Sequence, residues 1–267
     1  MSLYVHQSGG DIVYVIAVIN QKGGVGKSTT SLSIGAGISL KGYRTLFVDL
    51  DAQGNLSYVM QAQTGAGGKN ILDVLEGKVG VASATQHTDQ GDVIASSPQL
   101  VGADTSITGR GREYRLKDAL SKLKELYDCV IIDTPPALGV ITVNALTAAS
   151  GAIIPAQADI FSLQGISSLY GTIHTVQRYS NPTLAVLGIV LTRYNNRAII
   201  GREVADKIDQ TAQQLNTKLF TTKIRESTSI KESQAIRQSI FAYAPKSNAA
   251  LDYADLVEEI LREVTLS

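Results

Sequence analysis

The sequence has little that would support a metal cluster, a disulfide or a membrane anchor. It contains one cysteine, Cys129, and no tryptophan among 267 residues. A lone cysteine makes no internal disulfide and cannot by itself hold a metal or an iron–sulfur cluster, so a reducing cytoplasm is the simplest compartment. No apolar run approaches the about 18 residues of a membrane span, and residues 1–11 do not have the pattern of a signal peptide.

The formal net charge of the chain is zero. The 24 basic residues balance 24 acidic ones, which excludes a globally basic nucleic-acid binder but leaves room for a local basic patch. Hydrophobic residues make up 44% of the chain, enough for a large buried core. We predict a short polar lead-in over residues 1–11 and one domain over residues 12–267.

Short β-branched runs alternate with longer helical patterns along the chain. Strands are predicted at residues 12–19, 45–50, 93–96, 129–132, 152–155, 184–191 and 219–224. Helices are predicted at residues 27–40, 114–127, 163–179 and 203–215. Residues 58–90 are interpreted as a surface excursion with one helical piece at 70–75. This alternation predicts an α/β fold, with a mostly parallel twisted sheet and helices on both faces.

A glycine-rich string with the character of a phosphate-binding loop lies between the first predicted strand and helix. It comprises Lys22, Gly23, Gly24, Val25, Gly26, Lys27, Ser28 and Thr29. Glycines let backbone N–H groups surround an anion, and the helix start adds its positive dipole end. We expect Lys27 to reach the β- and γ-phosphates of a nucleotide, Ser28 to bind Mg²⁺ and Thr29 to lie near the α-phosphate. A glycine-rich turn without a ligand is the alternative interpretation.

Carboxylates end two of the predicted strands. Asp49 and Asp51 close the strand at 45–50, and Asp133 closes the strand at 129–132. An apolar strand that ends in aspartate is typical of a Mg²⁺ site in P-loop nucleotide hydrolases. We therefore predict Ser28, Asp49 and Asp133 as the metal site, with helix or loop capping as the alternative for each carboxylate.

These motifs together resemble the ParA/MinD family of ATPases, which have a deviant Walker A loop. The string from Lys22 to Thr29 matches that loop, and the residues from Asp49 to Asn55 match a second motif except that Ala52 replaces a proline. The resemblance covers about residues 12–262.

The resemblance implies ATP and Mg²⁺ as cofactors and assigns roles to several residues. Lys22 would cross the interface of an ATP-bound homodimer to the partner's phosphates, and Asp51 would orient the attacking water. The segment that starts with Thr192 and Arg193 would contact the adenine. Lys22, Lys27 and Asp51 are therefore the predicted catalytic residues.

The distribution of charge along the chain distinguishes between the membrane-bound and DNA-bound branches of this family. Residues 247–267 carry five acids against Arg262, and an acidic helix is repelled by anionic lipids, so we expect this tail to pack on the domain. The iron–sulfur reductases of the same superfamily need two ligand cysteines per subunit, so the single Cys129 argues against that branch. Residues 193–246 hold ten bases and five acids, the footprint of phosphate-backbone binding. The residues predicted to contact DNA are Arg225, Lys231, Arg237 and Lys246.

The sequence thus predicts a ParA-like ATPase that binds double-stranded DNA without sequence preference, because no DNA-reading extension is expected before residue 12. Hydrolysis would be stimulated by a ParB-like or cargo-adaptor partner, in the cytoplasm on the nucleoid and without a membrane. The cycle would segregate or position a plasmid, a chromosome origin or another cargo. A MinD-like regulator on a membrane or scaffold is the alternative, and a metabolic P-loop ligase is a third hypothesis.

Overall fold

The computed structural model describes residues 13–64, 69–195 and 199–266, so the lead-in at 1–11 and Arg197 lie outside the described residues. The strands are β1 (Tyr14–Val18), β2 (Thr45–Asp49), β3 (Thr85–Thr88), β4 (Gly91–Ile94), β5 (Cys129–Asp133), β6 (Gly151–Ala156) and β7 (Ala185–Leu191). The helices are α1 (Lys27–Leu40), α2 (Asn55–Val59), α3 (Ile71–Leu75), α4 (Val81–Ala84), α5 (Ala103–Ser106), α6 (Arg115–Leu120), α7 (Val140–Ala148), α8 (Ile160–Tyr179), α9 (Ile199–Gln214), α10 (Thr228–Ala235), α11 (Ile240–Tyr243) and α12 (Asn248–Leu261). Short 3₁₀ turns lie at Pro98–Gly102, Arg112–Tyr114 and Ser121–Leu123.

The seven strands form one sheet in the order β3-β4-β2-β5-β1-β6-β7. All neighbouring pairs are parallel except β3 with β4, which is antiparallel. This confirms the mostly parallel α/β fold. The central strands are buried on both sides, which is why they read in the sequence as continuous apolar runs.

Alternate residues of each central strand face two separate cores. In β1, Val15 and Ala17 pack with helices α3, α6, α7, α8 and α9 on one side of the sheet. Ile16 and Val18 pack with α1, α2 and α12 on the other side. This division follows from the two-residue period of a strand.

The predicted last strand at 219–224 is wrong. The structure has only isolated bridges there, from Ile189 to Leu219 and from Tyr194 to Arg225. The backbone N–H groups of residues 221 and 222 donate instead to the carboxylate of Glu259 on α12, at 2.9 and 3.1 Å. The segment stays beside β7, where the N–H groups of Phe220 and Ile224 donate to the backbone oxygens of Ile189 and Leu191, but the two residues bound to Glu259 interrupt the pairing and no continuous ladder forms.

Two other predictions need correction. The helix predicted at 114–127 ends as α6 at Leu120 and continues only as a 3₁₀ turn to Leu123, while Leu126 is exposed. The segment 58–90 is not merely a surface excursion, because it supplies α3, α4 and the edge strand β3. Ile71 and Leu75 of this segment are fully buried in the core.

The acidic tail packs as expected. Helix α12 buries Tyr253, Leu256 and Ile260 against α1 and the sheet, so its apolar side is already covered. None of the described helices combines the length and the hydropathy that a membrane-spanning helix needs.

Candidate active site

The predicted site residues meet at the carboxyl ends of three neighbouring strands. Strand β5 lies between β2 and β1, and its last residue, Asp133, is in register with Asp49 on one side and with Val18 on the other. The phosphate loop follows directly after β1. Because parallel strands end at the same edge, residues far apart in the chain come together here.

The phosphate loop turns sharply enough to need glycine. Gly24 and Gly26 have φ values of 76° and 85°, a left-handed conformation that other residues rarely adopt. Gly26 is also the N-cap of α1, so the free N–H groups of the first helical turn face the loop. The backbone is thus arranged to surround an anion at the helix start.

Lys27 is held inside this loop. Its side chain is buried, and Nζ donates to the backbone oxygen of Lys22 at 3.3 Å. Burial lowers the pKa of the Lys27 ammonium, while the nearby carboxylates of Asp133 and Asp51 act in the opposite direction. A partly desolvated ammonium between carboxylates is suited to bind a polyanion.

Asp133 is the most strongly perturbed carboxyl group of the site. It is fully buried, and its Oδ1 accepts a hydrogen bond from Ser31 at 3.1 Å, whereas its Oδ2 has no hydrogen-bond partner among the described residues. Burial and the neighbouring Asp49 raise its pKa, although the hydroxyls of Ser28 and Ser31 lower it in part. A buried oxygen without a partner is what a hydrated cation would satisfy.

Asp49 is committed to other partners. Its Oδ2 accepts from the backbone N–H and the hydroxyl of Ser57, at 2.8 and 2.7 Å, and its Oδ1 accepts from the N–H of Asp51 at 3.1 Å. These bonds fix the turn after β2 and the start of α2. Direct metal binding by Asp49 stays a prediction, which this geometry disfavours.

Asp51 lies in the turn that Asp49 organises. Its Oδ1 accepts from the N–H of Gln53 at 3.0 Å, and its backbone oxygen accepts from the N–H of Gly54 at 2.8 Å. The residue is buried, with 9% of its surface exposed. A carboxylate in this position is able to accept a proton from, or orient, a water molecule.

Lys22 is engaged within its own chain. Its Nζ lies 2.5 Å from Oδ2 of Asp159, and both side chains are about one-third exposed. Asp159 is also the N-cap of α8, where its Oδ1 accepts from the N–H of Ser162 at 3.0 Å. Burial alone would raise the pKa of Asp159, but the hydrogen bonds from Lys22 and Ser162 lower it below its usual value.

The structure places the predicted adenine residues beside the phosphate loop. Thr192 is buried, and its hydroxyl donates to the backbone oxygen of Val25 at 2.8 Å. Arg193 follows with an exposed side chain and a φ of 49°. Their contact with a nucleotide base stays a prediction.

The four predicted DNA residues have different surroundings. Arg225 is paired with the buried carboxylate of Asp252, which accepts from its guanidinium and from its backbone N–H, so a structural role is favoured for it. Arg237 lies over the ring of Tyr58 at 4.1 Å. Lys231 and Lys246 are exposed.

Comparison with known sequences assigns the family. A family model described as an AAA domain matches residues 13–186. The sporulation initiation inhibitor protein Soj of Bacillus subtilis is 36% identical over 249 residues, which are 92% of this chain and 97% of the relative. The chain belongs to the ParA family of partition ATPases. The chromosome-partitioning ATPase Soj of Thermus thermophilus is 35% identical, with 93% of this chain and 96% of that protein covered.

Solved structures agree with this family. A Mycobacterium smegmatis protein described as cobyrinic acid a,c-diamide synthase, with bound ADP and magnesium, has a TM-score of 0.82 and 35% identity, covering 94% of this chain and 95% of that one. A variant of McdA from Cyanothece, in complex with ATP, has a TM-score of 0.84 and 22% identity, covering 97% of this chain and 100% of that one, and shows the fold alone.

Sequence reasoning missed three residues of the site. They are Ser57, which fixes Asp49, Asp159, which holds Lys22, and Gln234, whose amide donates to Thr29 at 2.7 Å. Asp159 precedes a predicted helix and could have been assigned as its cap. Ser57 lies only eight residues after Asp49, but the sequence does not show that its hydroxyl points back to that carboxylate. No sequence pattern pairs Gln234 with the site, because its contact with Thr29 joins distant parts of the chain.

Proposed function

We propose that residues 12–267 form a single ATPase domain that binds ATP with Mg²⁺ and hydrolyses it in a ParA-type cycle. The observation that carries this proposal is the meeting of the phosphate loop, Asp133 and Asp51 at one edge of the sheet. The nucleotide and magnesium bound by the Mycobacterium smegmatis relative support it.

Nucleotide binding rests on the loop and the start of α1. The backbone N–H groups around Gly23, Gly24 and Gly26 would surround the phosphates, and Lys27 would pair with the β- and γ-phosphates. Thr29, in the first turn of α1, would lie at the α-phosphate. The buried Lys27 is already held at the loop by its bond to the Lys22 backbone, so little ordering is needed on binding.

The metal would be held by Ser28 and, through water, by Asp133. The unpartnered Oδ2 of Asp133 is the feature that fits a hydrated cation. Mg²⁺ prefers hard oxygen ligands and retains several waters, and it neutralises phosphate charge when bound. Asp49 serves instead to fix the turn that carries Asp51.

Hydrolysis would use Asp51 to orient the attacking water. Its backbone is fixed on one side by Asp49 and on the other by the turn to Gly54. The expected result of Asp51→Asn is loss of ATP turnover with retained ATP binding, measured by phosphate release and by equilibrium binding.

Dimerisation would complete the site. Lys22 would leave Asp159 and cross to the phosphates of a second copy, where its charge stabilises the transferring phosphoryl group. Hydrolysis by the monomer would therefore be slow. Size-exclusion chromatography with light scattering, with ATP and with ADP, tests for a dimer that forms only with ATP.

DNA binding would use the exposed bases near α10 and α12. Lys231, Arg237 and Lys246 are the candidates, since Arg225 is committed to Asp252. A dimer would join two such surfaces, so binding of double-stranded DNA would require ATP and would be electrostatic. A nucleoid location in the cytoplasm follows from this proposal.

Fluorescence anisotropy with double-stranded DNA tests this surface across a salt series. The double variant Lys231→Ala with Lys246→Ala should lower the magnitude of the salt slope by about 2 per monomer if each lysine neutralises one phosphate. The matched control is Lys117→Ala with Lys122→Ala, two exposed lysines from the other side of the sheet. Equal salt slopes for both double variants would contradict the assigned surface.

The partner would be a ParB-like or adaptor protein that stimulates hydrolysis and opens the dimer, so that a plasmid, chromosome origin or other cargo is moved. A MinD-like membrane role is disfavoured because the apolar side of α12 is buried. Sedimentation with anionic liposomes in ATP tests that alternative. A metabolic ligase, the class suggested by the name of the Mycobacterium smegmatis relative, would be favoured if ATP produced no dimer.

A further inference from the structure

One hydrogen bond joins the phosphate loop to a helix that the loop motif does not include. The side-chain amide of Gln234, near the end of α10, donates from Nε2 to Oγ1 of Thr29 at 2.7 Å. Both side chains are partly buried. Thr29 lies in the first turn of α1, two residues after Lys27.

The direction of this bond determines whether the Thr29 hydroxyl can still donate a hydrogen bond. A threonine hydroxyl has one hydrogen to donate and two lone pairs to accept with. Because Gln234 is the donor, Thr29 keeps its own hydrogen. At the start of α1, where the backbone N–H groups also converge, the natural acceptor for that hydrogen is a phosphate oxygen of the nucleotide.

We propose that Gln234 is a positioning residue that orients the Thr29 hydroxyl to donate to the bound nucleotide, and that this bond ties α10 to nucleotide occupancy. The amide is polarised further when the hydroxyl it binds donates onward to an anion. The bond between Gln234 and Thr29 therefore strengthens when a nucleotide is bound.

The surroundings of Gln234 hold it in place. After α10 the chain turns back through Arg237, which has a φ of 56° and lies over the ring of Tyr58 on α2 at 4.1 Å. The N–H of Ser239 then donates to the side chain of Gln90 at 2.9 Å. The end of α10 is thus fixed to the segment after Asp51 as well as to the phosphate loop.

A consequence follows for the basic surface. Lys231 lies three residues before Gln234 on the same helix, so the two share one side of α10. If nucleotide binding orders α10 and thereby raises the affinity of a second ligand for that helix, then the second ligand must raise the affinity for nucleotide by the same factor. This consequence rests on the proposed DNA binding, whereas the role of Gln234 rests only on ATP binding.

The experiment measures the Kd of a fluorescent ATP analogue with Mg²⁺ for the full chain. Gln234→Ala and Thr29→Val should each weaken binding about fivefold, the factor expected for one hydrogen bond. The double variant should be no weaker than Thr29→Val alone, because the two residues act through one hydroxyl. Thr29→Ser keeps the hydroxyl and should therefore weaken binding less than Thr29→Val does.

Two further variants separate this role from general damage. In Gln234→Glu the ionised carboxylate only accepts hydrogen bonds, so it takes the hydrogen of Thr29 and adds negative charge near the phosphates, and binding should weaken more than about tenfold. Gln238→Ala, which lies beyond α10, should leave the Kd unchanged. Urea unfolding of each variant checks that the fold is intact.

Unchanged binding by Gln234→Ala would overturn the inference. So would losses that multiply in the double variant, because they would mean that the two residues act independently. If the unaltered chain bound no ATP analogue, the ATPase function itself would fail, which is a different result from unchanged binding by the variant.

Discussion

Replacing Asp159 by asparagine should favour the ATP-bound dimer, because Asp159 holds the lysine that the dimer needs. The carboxylate lies 2.5 Å from Nζ of Lys22, with the side chains 32% and 30% exposed. The asparagine side chain would still cap α8 through the N–H of Ser162, since asparagine is as good an N-cap as aspartate. The change therefore removes the ion pair without removing the helix cap.

The size of the effect follows from the exposure of the pair. A partly exposed ion pair contributes about 0.5 to 1 kcal/mol, and each dimer requires two such pairs to break. Removing both should tighten dimerisation by about 1 to 2 kcal/mol, or roughly 5- to 30-fold. Added salt should reduce the difference in dimer dissociation constant between the variant and the unaltered chain, because salt screens the ion pair in the monomer.

The assay is analytical ultracentrifugation with ATP and Mg²⁺, in an Asp51→Asn background that is expected to bind ATP without turnover. The matched control is Glu125→Gln, which removes an equal charge just before β5, at the opposite edge of the sheet. If Asp159→Asn dimerises no more tightly than the control, the reasoning is refuted, because release of Lys22 from Asp159 would then not favour the dimer.

Three further predictions concern the site and the core. Lys22→Ala should bind ATP but lose partner-stimulated hydrolysis, measured as phosphate release. Burial and the neighbouring Asp49 raise the pKa of Asp133 in the folded protein without nucleotide and metal. The folded protein therefore keeps a proton on Asp133 that the unfolded chain releases near pH 4. Its free energy of unfolding should consequently fall as the pH rises above about 4. Gly35→Ala should lower the free energy of unfolding by about 1 to 3 kcal/mol, because its Cβ would overlap the buried ring of Phe47.

Each of these predictions has an outcome that would contradict it, and the second and third also have a control variant. Retained stimulation in Lys22→Ala would remove the crossing lysine from the mechanism. Asp133→Asn should flatten the pH slope in urea titrations with chelator, and an unaltered slope would assign it to other groups. Gly171→Ala lies in the interior of α8, where the added Cβ would have no atom of the described residues within 4 Å apart from its own helix backbone, so its free energy of unfolding should instead rise by about 0.5 to 1 kcal/mol. Equal stability of the two glycine variants would contradict the packing argument.

Local patterns were sufficient for the elements that form the site. Apolar runs predicted β1, β2 and β5, and α1 spans the predicted residues 27–40. The strands are recognisable because burial on both faces requires apolar residues at every position. The phosphate loop is recognisable because its turn requires glycine at Gly24 and Gly26.

Long-range contacts overrode local patterns elsewhere. The segment 219–224 has the composition of a strand, yet the backbone N–H groups of residues 221 and 222 donate to Glu259 on α12. The polar segment at 58–90 conceals Ile71 and Leu75, which are buried because α3 packs against the core. In both cases the partner is remote in the chain, so no window of sequence contains it.

The sequence by itself determined the family, the α/β fold and the phosphate loop, because these depend on residue types at fixed spacing along one strand and the next helix. Only the tertiary structure decided the partners of each charge. Asp49 bonds to Ser57, Lys22 to Asp159, Arg225 to Asp252 and Gln234 to Thr29. Asp49 and Ser57 lie only eight residues apart, but the other three contacts join remote parts of the chain, and their meeting is set by sheet order and helix packing rather than by any local pattern.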